Sequence, residues 1–478
     1  MSAHIAMPSC LVPGLGVLTT DITPELVDEV TELAGCREQR WRLLPARVAV
    51  YFVLGMCLLS GEDSMGPPGY RSVLRTLSHG VRHLAGLALP TRSALCQARE
   101  RLGSMVFELL LERLAGPLAV QGEAGSFALG LRVVAWDSTS VPLPASAENR
   151  AGVGQHCNQL GEGGPPLFRL LALIECGTHA VIDAVFDAFA ATSEQVLARR
   201  VLASLREGML LLADRNFPGH ELWCLAAATG AELCWRAPGH LTLDVAQQLA
   251  DGSWLSVLHD PAHGARSRRL LRRRGIIPPG AALVRVIQYK VAATTPDGRS
   301  RTECCRLITT MLDTRQAPAG ELAVLYHERW ECEGQYLDLK ARLKGTGFTL
   351  RSRTPALAVQ EMLAFLCTAQ ALAALAHRAA ATAGVDPGRV SFTVTIRIAR
   401  DHARTQHQTL TPAGLAAATA TAAADILADL LPPRRKRQCP REQKTRTTPF
   451  PKGKDPRHPP GTVTYAITIE PPSPSAIT

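Results

Sequence analysis

The sequence predicts a mixed α/β chain: an all-helical N-terminal region, a core of strands ordered β-β-β-α-β, a mostly β insertion, and a return to helices. Three observations predict it. Apolar residues recur at helical spacing over the first stretch of the chain. From Leu131 short β-branched runs separated by glycine-containing turns replace them, and from Leu322 helical spacing resumes in alanine-rich segments. Composition agrees, since the 478 residues are 46% hydrophobic and 20% charged, which excludes global disorder and a membrane bundle.

Thr23 is placed to cap a helix that begins at Pro24 and repeats Leu26, Val30 and Leu33. Further helices are expected over Leu43–Leu59, Tyr70–Leu77 and Thr91–Leu102, punctuated by the GPPG at 66–69. LRVVAW from Leu131, FRLLALIE (168–175) and HAVIDAVF (179–186) read as a three-stranded meander, followed by a helix from Ser193 to Leu205 and a buried strand, GMLLLAD (208–214). AELCWR (231–236) and ALVRVIQYKV (282–291) are strands of the insertion. Helices return at Leu322–Leu343, Thr354–Ala383 and Ala413–Leu431. The expected divisions are 1–125, helical; 126–222, first part of the core; 223–320, β-rich insertion; 321–400, second part of the core; and 401–478, helical, then a basic disordered tail.

The longest apolar run, Val48–Leu59, is 12 residues, too short for the roughly 18 that span a bilayer. With no export signal in the opening MSAHIAMPSC, a cytoplasmic chain without a membrane partner is expected. Thirteen cysteines without a CxxC pair suggest reduced thiols. The net charge of +10 suggests a polyanionic partner. Residues 432–458 hold ten basic side chains against two acidic ones, so this stretch supplies +8 and the remainder is close to neutral.

Asp137 ends the first strand of the meander, Asp214 ends the fourth strand, and Glu333 falls on the helix after the insertion. Carboxylates at the ends of neighbouring strands, with another on a covering helix, can converge on hard cations, and a pair of Mg²⁺ ions suits phosphodiester chemistry. The competing reading of each Asp is a turn-former or helix cap. Glu175, Asp183 and Glu328 are alternative acids in a different register.

YHERWECEGQYLDLK contains Tyr326, Arg329, Glu333 and Lys340. At helical geometry they fall within an arc of about 60°, so one face presents a phenol, a guanidinium, a carboxylate and an ammonium. A metal-ligating carboxylate flanked by phosphate-binding cations is what a nuclease site needs; a solvated charged face is the alternative.

With that spacing the sequence resembles the DDE transposases of insertion-sequence family four, whose hallmark is a Tyr-Arg-Glu-Lys signature beside an Asp-Asp-Glu triad. The likeness runs from Leu18 to Ile398 and takes in WDSTSVPLP around Asp137, ADRNFPGHELW around Asp214, DGSWLS (251–256), the signature helix and DPGRVSF (386–392). It implies an RNase H-like core interrupted by the β insertion, with Asp137, Asp214 and Glu333 as catalytic ligands of Mg²⁺, for which Mn²⁺ can substitute. It also implies that Tyr326, Arg329 and Lys340 contact transposon-end phosphates. The implied activity is cut-and-paste transposition through a hairpin, by a homodimer holding two terminal inverted repeats and acting on double-stranded DNA at the nucleoid.

Other DNA contacts are expected from TRSALCQARERLG (91–103), with Arg92, Gln97, Arg99 and Arg101 available on one helix, and from RSRRLLRRRG (266–275), including Arg269 and Arg272. Trp235 and Trp254 lie in the insertion, where family members stack a flipped base; core burial is the competing reading of each. Two rival functions remain open. One is a non-catalytic DNA-binding regulator or decayed transposase, and the other is an RNase H-like nuclease without strand transfer.

Overall fold

The computed structural model describes residues 14–38, 44–60, 68–78, 89–155, 157–158, 161–162, 164–262, 264, 277, 280–294, 300–328, 349–405, 411–432 and 464–472. Arg269, Arg272, Arg329, Glu333 and Lys340 therefore lie outside the described residues. The chain divides into two compact units, Met1–Ser204 with Trp330–Leu431, and Leu205–Arg329 with Pro432–Thr478.

In chain order the helices are α1 (Pro24–Leu33), α2 (Ala46–Leu58), α3 (Tyr70–Leu77), α4 (Arg92–Leu102), α5 (Met105–Leu114), α6 (Ala147–Val153), α7 (Glu194–Arg200), α8 (His220–Ala227), α9 (Ala319–Glu328), α10 (Pro355–Ala383), α11 (Phe392–Arg404) and α12 (Pro412–Leu427). The strands are β1 (Phe127–Ala128), β2 (Leu131–Pro142), β3 (Cys157–Asn158), β4 (Gly161–Glu162), β5 (Leu167–Glu175), β6 (Val181–Ala188), β7 (Met209–Ala213), β8 (Glu232–Arg236), β9 (Gln247–Gln248), β10 (Trp254–Leu258), β11 (Ala282–Thr294), β12 (Ser300–Thr309) and β13 (Thr464–Ile469).

In the first unit Thr23 caps its helix as expected, and Thr91, expected as the first residue of a helix, instead caps it. The Thr23 and Thr91 hydroxyls accept from the backbone N–H groups of Leu26 and Ala94, satisfying donors that a helix start leaves unpaired. The organiser is α10, which packs against α2, α5, α11 and α12. It is long and apolar enough to cross a membrane, with a mean hydropathy of 1.5 in its most apolar stretch, but 83% of that stretch is buried inside the protein. Its alanines let neighbouring helices approach closely. Each fully buried leucine, such as Leu366, Leu372 or Leu375, contributes about 1.5–3 kcal/mol by leaving water. Gly384 ends the helix at φ 63°, a left-handed conformation that glycine adopts without steric cost.

The meander β2-β5-β6 of this unit is antiparallel, as the strand runs predict, with α6 and the short hairpin β3-β4 between β2 and β5. Asp137 stands opposite Ala172 in the register, and Ala172 opposite Ala184.

In the second unit β7, α8 and β8 form a parallel crossover, with Leu210 opposite Glu232 and Ala213 opposite Trp235. The boundary drawn at 222/223 from composition falls inside α8. Beyond β8 the order continues antiparallel through β12, β11, β10 and β9.

Residues 464–469, read as part of a disordered tail, instead form β13, paired antiparallel with β11 from Tyr289↔Ile469 to Thr294↔Thr464. The reason is local: TYAITI alternates in the way a strand requires, a pattern hidden by the proline-rich composition around it. Lys290 and Glu470 add an ion pair at 2.8 Å.

Candidate catalytic site

Asp137 lies on β2 and is half-buried. Its Oδ1 accepts the backbone N–H of Ser138 at 2.8 Å. Residues directly opposite in a sheet share a face, so Asp137, Ala172 and Ala184 form a row across three strands. The two alanines put nothing larger than a methyl group beside the carboxylate. Ser138, one residue on, points to the other face and donates to Glu194 at the start of α7, whose carboxylate also lies 3.6 Å from Arg169.

Asp214 follows the last residue of β7, at the carboxyl end of a parallel strand, where α/β units characteristically present functional groups. It is half-buried, and its Oδ1 accepts the N–H of Asn216 at 2.8 Å. Tyr326, on α9, donates its hydroxyl to the carbonyl of Ala213 at 3.0 Å. α9 is thus tied to the residue beside Asp214.

Two acids named as alternatives are committed elsewhere. Glu175 is fully buried, accepting from the backbone N–H groups of Leu118 and Ala119, from the Thr178 hydroxyl and from Arg132. It ties a loop to the meander. Asp183 accepts from Ser204 at 2.6 Å.

Asp137 and Asp214 are hard oxygen donors with an exposed fraction, and such donors suit Mg²⁺ or Mn²⁺ rather than a thiophilic metal. Among the described residues no group of three His, Cys, Asp or Glu side chains is gathered that could hold a metal ion, and Glu333 lies outside them.

The chain matches the model of the transposase DDE domain over residues 128–370, and that of the insertion element 4 transposase N-terminal region over residues 13–112. The first match spans both aspartates and the signature segment. The chain belongs to the insertion-element-4 group of DDE transposases. It is 24% identical over 350 residues to the transposase InsG for insertion sequence element IS4 of Escherichia coli K12, covering 71% of this chain and 72% of InsG. InsZ of the same strain is 26% identical over 238 residues, covering 50% of this chain and 75% of InsZ. A solved piggyBac transposase synaptic complex with hairpin DNA aligns over 90% of this chain and 86% of its own, at 10% identity and a TM-score of 0.42.

Within this DDE transposase four residues expected at DNA have other duties. Arg99 is fully buried and donates to Gln360, Tyr70, Ser352 and the carbonyl of Leu357, so its guanidinium is unavailable to a phosphate. Arg92, Gln97 and Arg101 are exposed, as are Thr91, Ser93 and Glu100 of the same stretch. Trp235 is fully buried and packs edge-on against Trp223 with ring centres 5.1 Å apart, and Trp254 is 3% exposed, so both are core residues rather than stacking platforms. Tyr326 is itself buried, and its hydroxyl serves Ala213 rather than a phosphate.

Sequence reasoning missed the polar anchors around these elements. Glu361, fully buried on α10, accepts from the N–H groups of Arg351 and Ser352 and from the Ser352 hydroxyl at 2.6 Å. Nothing in an alanine-rich helical pattern marks one glutamate as buried. In the second unit Asp251, within DGSWLS, meets Arg285. Burial pushes the Asp251 carboxyl up, but hydrogen bonds from Ser253 and Ala319 and the charge of Arg285 outweigh it and hold the group below the usual aspartate range. The only sequence signal was an Asp before a Gly-Ser turn.

Proposed function

We propose that this DDE transposase carries out cut-and-paste DNA transposition, nicking the element end and using the freed 3′-OH to form and then resolve a hairpin. The observation that carries the reading is the placement of Asp137 on β2 and of Asp214 directly after β7, each partly exposed, inside the matched DDE domain, whose span also contains Glu333. Asp137, Asp214 and Glu333 would hold Mg²⁺, with Mn²⁺ able to replace it. A metal bound by them would lower the pKa of the attacking oxygen and neutralise charge on the leaving one. Arg329 and Lys340 grip end phosphates through charge-assisted hydrogen bonds. Exposed Arg92, Gln97 and Arg101 on α4 supply further contacts, and the basic run that includes Arg269 and Arg272 holds backbone without reading sequence. The working form is a homodimer on two terminal repeats, acting at the nucleoid in the cytoplasm.

The test uses full-length protein and linear DNA ending in the element's own inverted repeat. Nicking, hairpin formation and joining to a target plasmid are expected with Mg²⁺ or Mn²⁺ and not with excess chelator. Binding without cleavage in every metal would leave a regulator. Cleavage without hairpin or joining would leave a nuclease.

A further inference from the structure

The DGSWLS segment has no part in the chemistry above, yet its Asp251 reaches the start of the helix that carries Tyr326. Asp251 Oδ2 accepts the backbone N–H of Ala319, the first residue of α9, at 3.0 Å. Pro318 precedes that residue, and its carbonyl receives the first helical bond, from Leu322, at 3.1 Å. Proline has no side-chain acceptor to cap the helix, so a carboxylate from a distant turn does so. Its negative charge also suits the positive end of the helix dipole.

The carboxylate is itself fixed. Its Oδ1 accepts from the Ser253 hydroxyl at 2.5 Å and the Ser253 N–H at 3.2 Å, and Oδ2 also receives Arg285. Arg285, fully buried on β11, sends its Nε to Ser253 at 2.9 Å and its Nη1 to the carbonyls of Ala317 and Met311, at 2.6 and 3.2 Å. One guanidinium thus bonds the DGSWLS turn and the loop leading into α9 together. The other end of α9 is held by Tyr326 on Ala213. A helix pinned at both ends cannot slide along its axis without breaking the charge-assisted bond at its start or the buried hydrogen bond near its other end.

We infer that Asp251 and Arg285 are positioning residues of the transposase: an ion-paired clamp that sets where α9 starts and so where Tyr326 meets the strand ending at Asp214. Neither touches the reacting phosphate. They act through α9, and the inference that catalysis depends on them rests on the catalytic reading of Asp214 given above.

Two measurements on the full chain separate the clamp from that reading. The first is amide hydrogen exchange on Asp251→Asn, which keeps the shape and an acceptor oxygen but loses the charge. Amides of α9 are expected to exchange about tenfold faster, as the loss of one charge-assisted bond implies, while those in the middle of β11 keep their protection. Unchanged α9 protection, or equal loss throughout the unit, overturns the clamp. If Asp251→Asn does not fold, Asp251→Glu serves: it keeps the charge with one methylene more, and the same selective change in α9 is expected.

The second measurement is single-turnover hairpin formation on a pre-nicked end. Asp251→Asn and Tyr326→Phe should each slow the step by about tenfold with end affinity within about twofold of the parent, and the double variant should be no slower than the slower single one. Additive slowing, or a loss confined to affinity, overturns the inference. If the parent itself forms no hairpin, the catalytic reading fails, and hydrogen exchange still decides whether the clamp exists.

Discussion

The Tyr326 hydroxyl donates to the Ala213 carbonyl across 3.0 Å, and Ala213 is the residue directly before Asp214. One buried hydrogen bond therefore joins α9 to the end of the strand that presents the second aspartate. Tyr326→Phe removes the donor and leaves a buried carbonyl without it. We expect a stability loss of about 1–2 kcal/mol, read as a lower urea midpoint. End-DNA affinity should be unchanged, because the phenol is only 6% exposed. Weaker binding with unaltered stability would restore Tyr326 as a phosphate contact.

Asp137→Ala, Asp214→Ala and Glu333→Ala should each abolish nicking in Mg²⁺ while leaving end binding largely intact. Each removes a proposed metal ligand and no phosphate contact. Neither aspartate is fully buried, so the alanine variants should fold normally. Gel-shift affinity beside nicking rate checks this. Glu328→Ala is the control for register: if that variant is dead and Glu333→Ala active, the third ligand has been placed five residues too far along.

Arg99→Ala should be a folding variant. The guanidinium serves two side-chain oxygens on or near α10, the Tyr70 hydroxyl and a backbone carbonyl, and with all of these left unpaired a loss of about 3 kcal/mol or more is expected. The urea midpoint should fall sharply. Among molecules that remain folded, DNA affinity and its salt dependence should match the parent. Arg92→Ala and Arg101→Ala, both on exposed positions, should do the reverse, weakening binding at unchanged stability.

Arg99 also shows why some of the molecule was legible and some was not. Periodicity and caps are local, so α1 beginning at Pro24 behind Thr23, α3 over Tyr70–Leu77 and the meander from Leu131 could all be read from short windows. Which polar residue of a helix turns inward is decided by partners far along the chain: Arg99 meets Gln360 and Ser352 more than 250 residues away. The same holds for Trp235, whose burial depends on Trp223 and on β12. Asp214 was legible because a strand end is a local feature; Asp137, read in the same way, instead lies inside β2, which runs on to Pro142 because the polar Ser-Thr-Ser that follows it still pairs with β5. The clamp on α9 was not, because Asp251, Arg285 and Ala319 meet only after β10, β11 and the following loop have folded.

The basic segment after Leu431 calls for charge removal rather than truncation. Cutting there also removes β13, which pairs with β11 from Tyr289 to Thr294. Truncation would bare that edge, and a lower unfolding midpoint with a tendency to aggregate is expected whether or not the segment touches DNA. Changing Arg434, Arg435, Lys436 and Arg437 to Gln leaves β13 in place and isolates the electrostatics. If the four side chains bind phosphates, counterion release makes the slope of log affinity against log salt shallower by about 0.9 for each phosphate no longer neutralised. Affinity should fall by the same factor on inverted-repeat and random duplexes, since binding to phosphates carries no sequence information. Salt titrations of both proteins on both duplexes provide the check. Identical slopes would show that this cluster does not touch DNA, and a loss confined to the inverted repeat would mean that it reads sequence or shape.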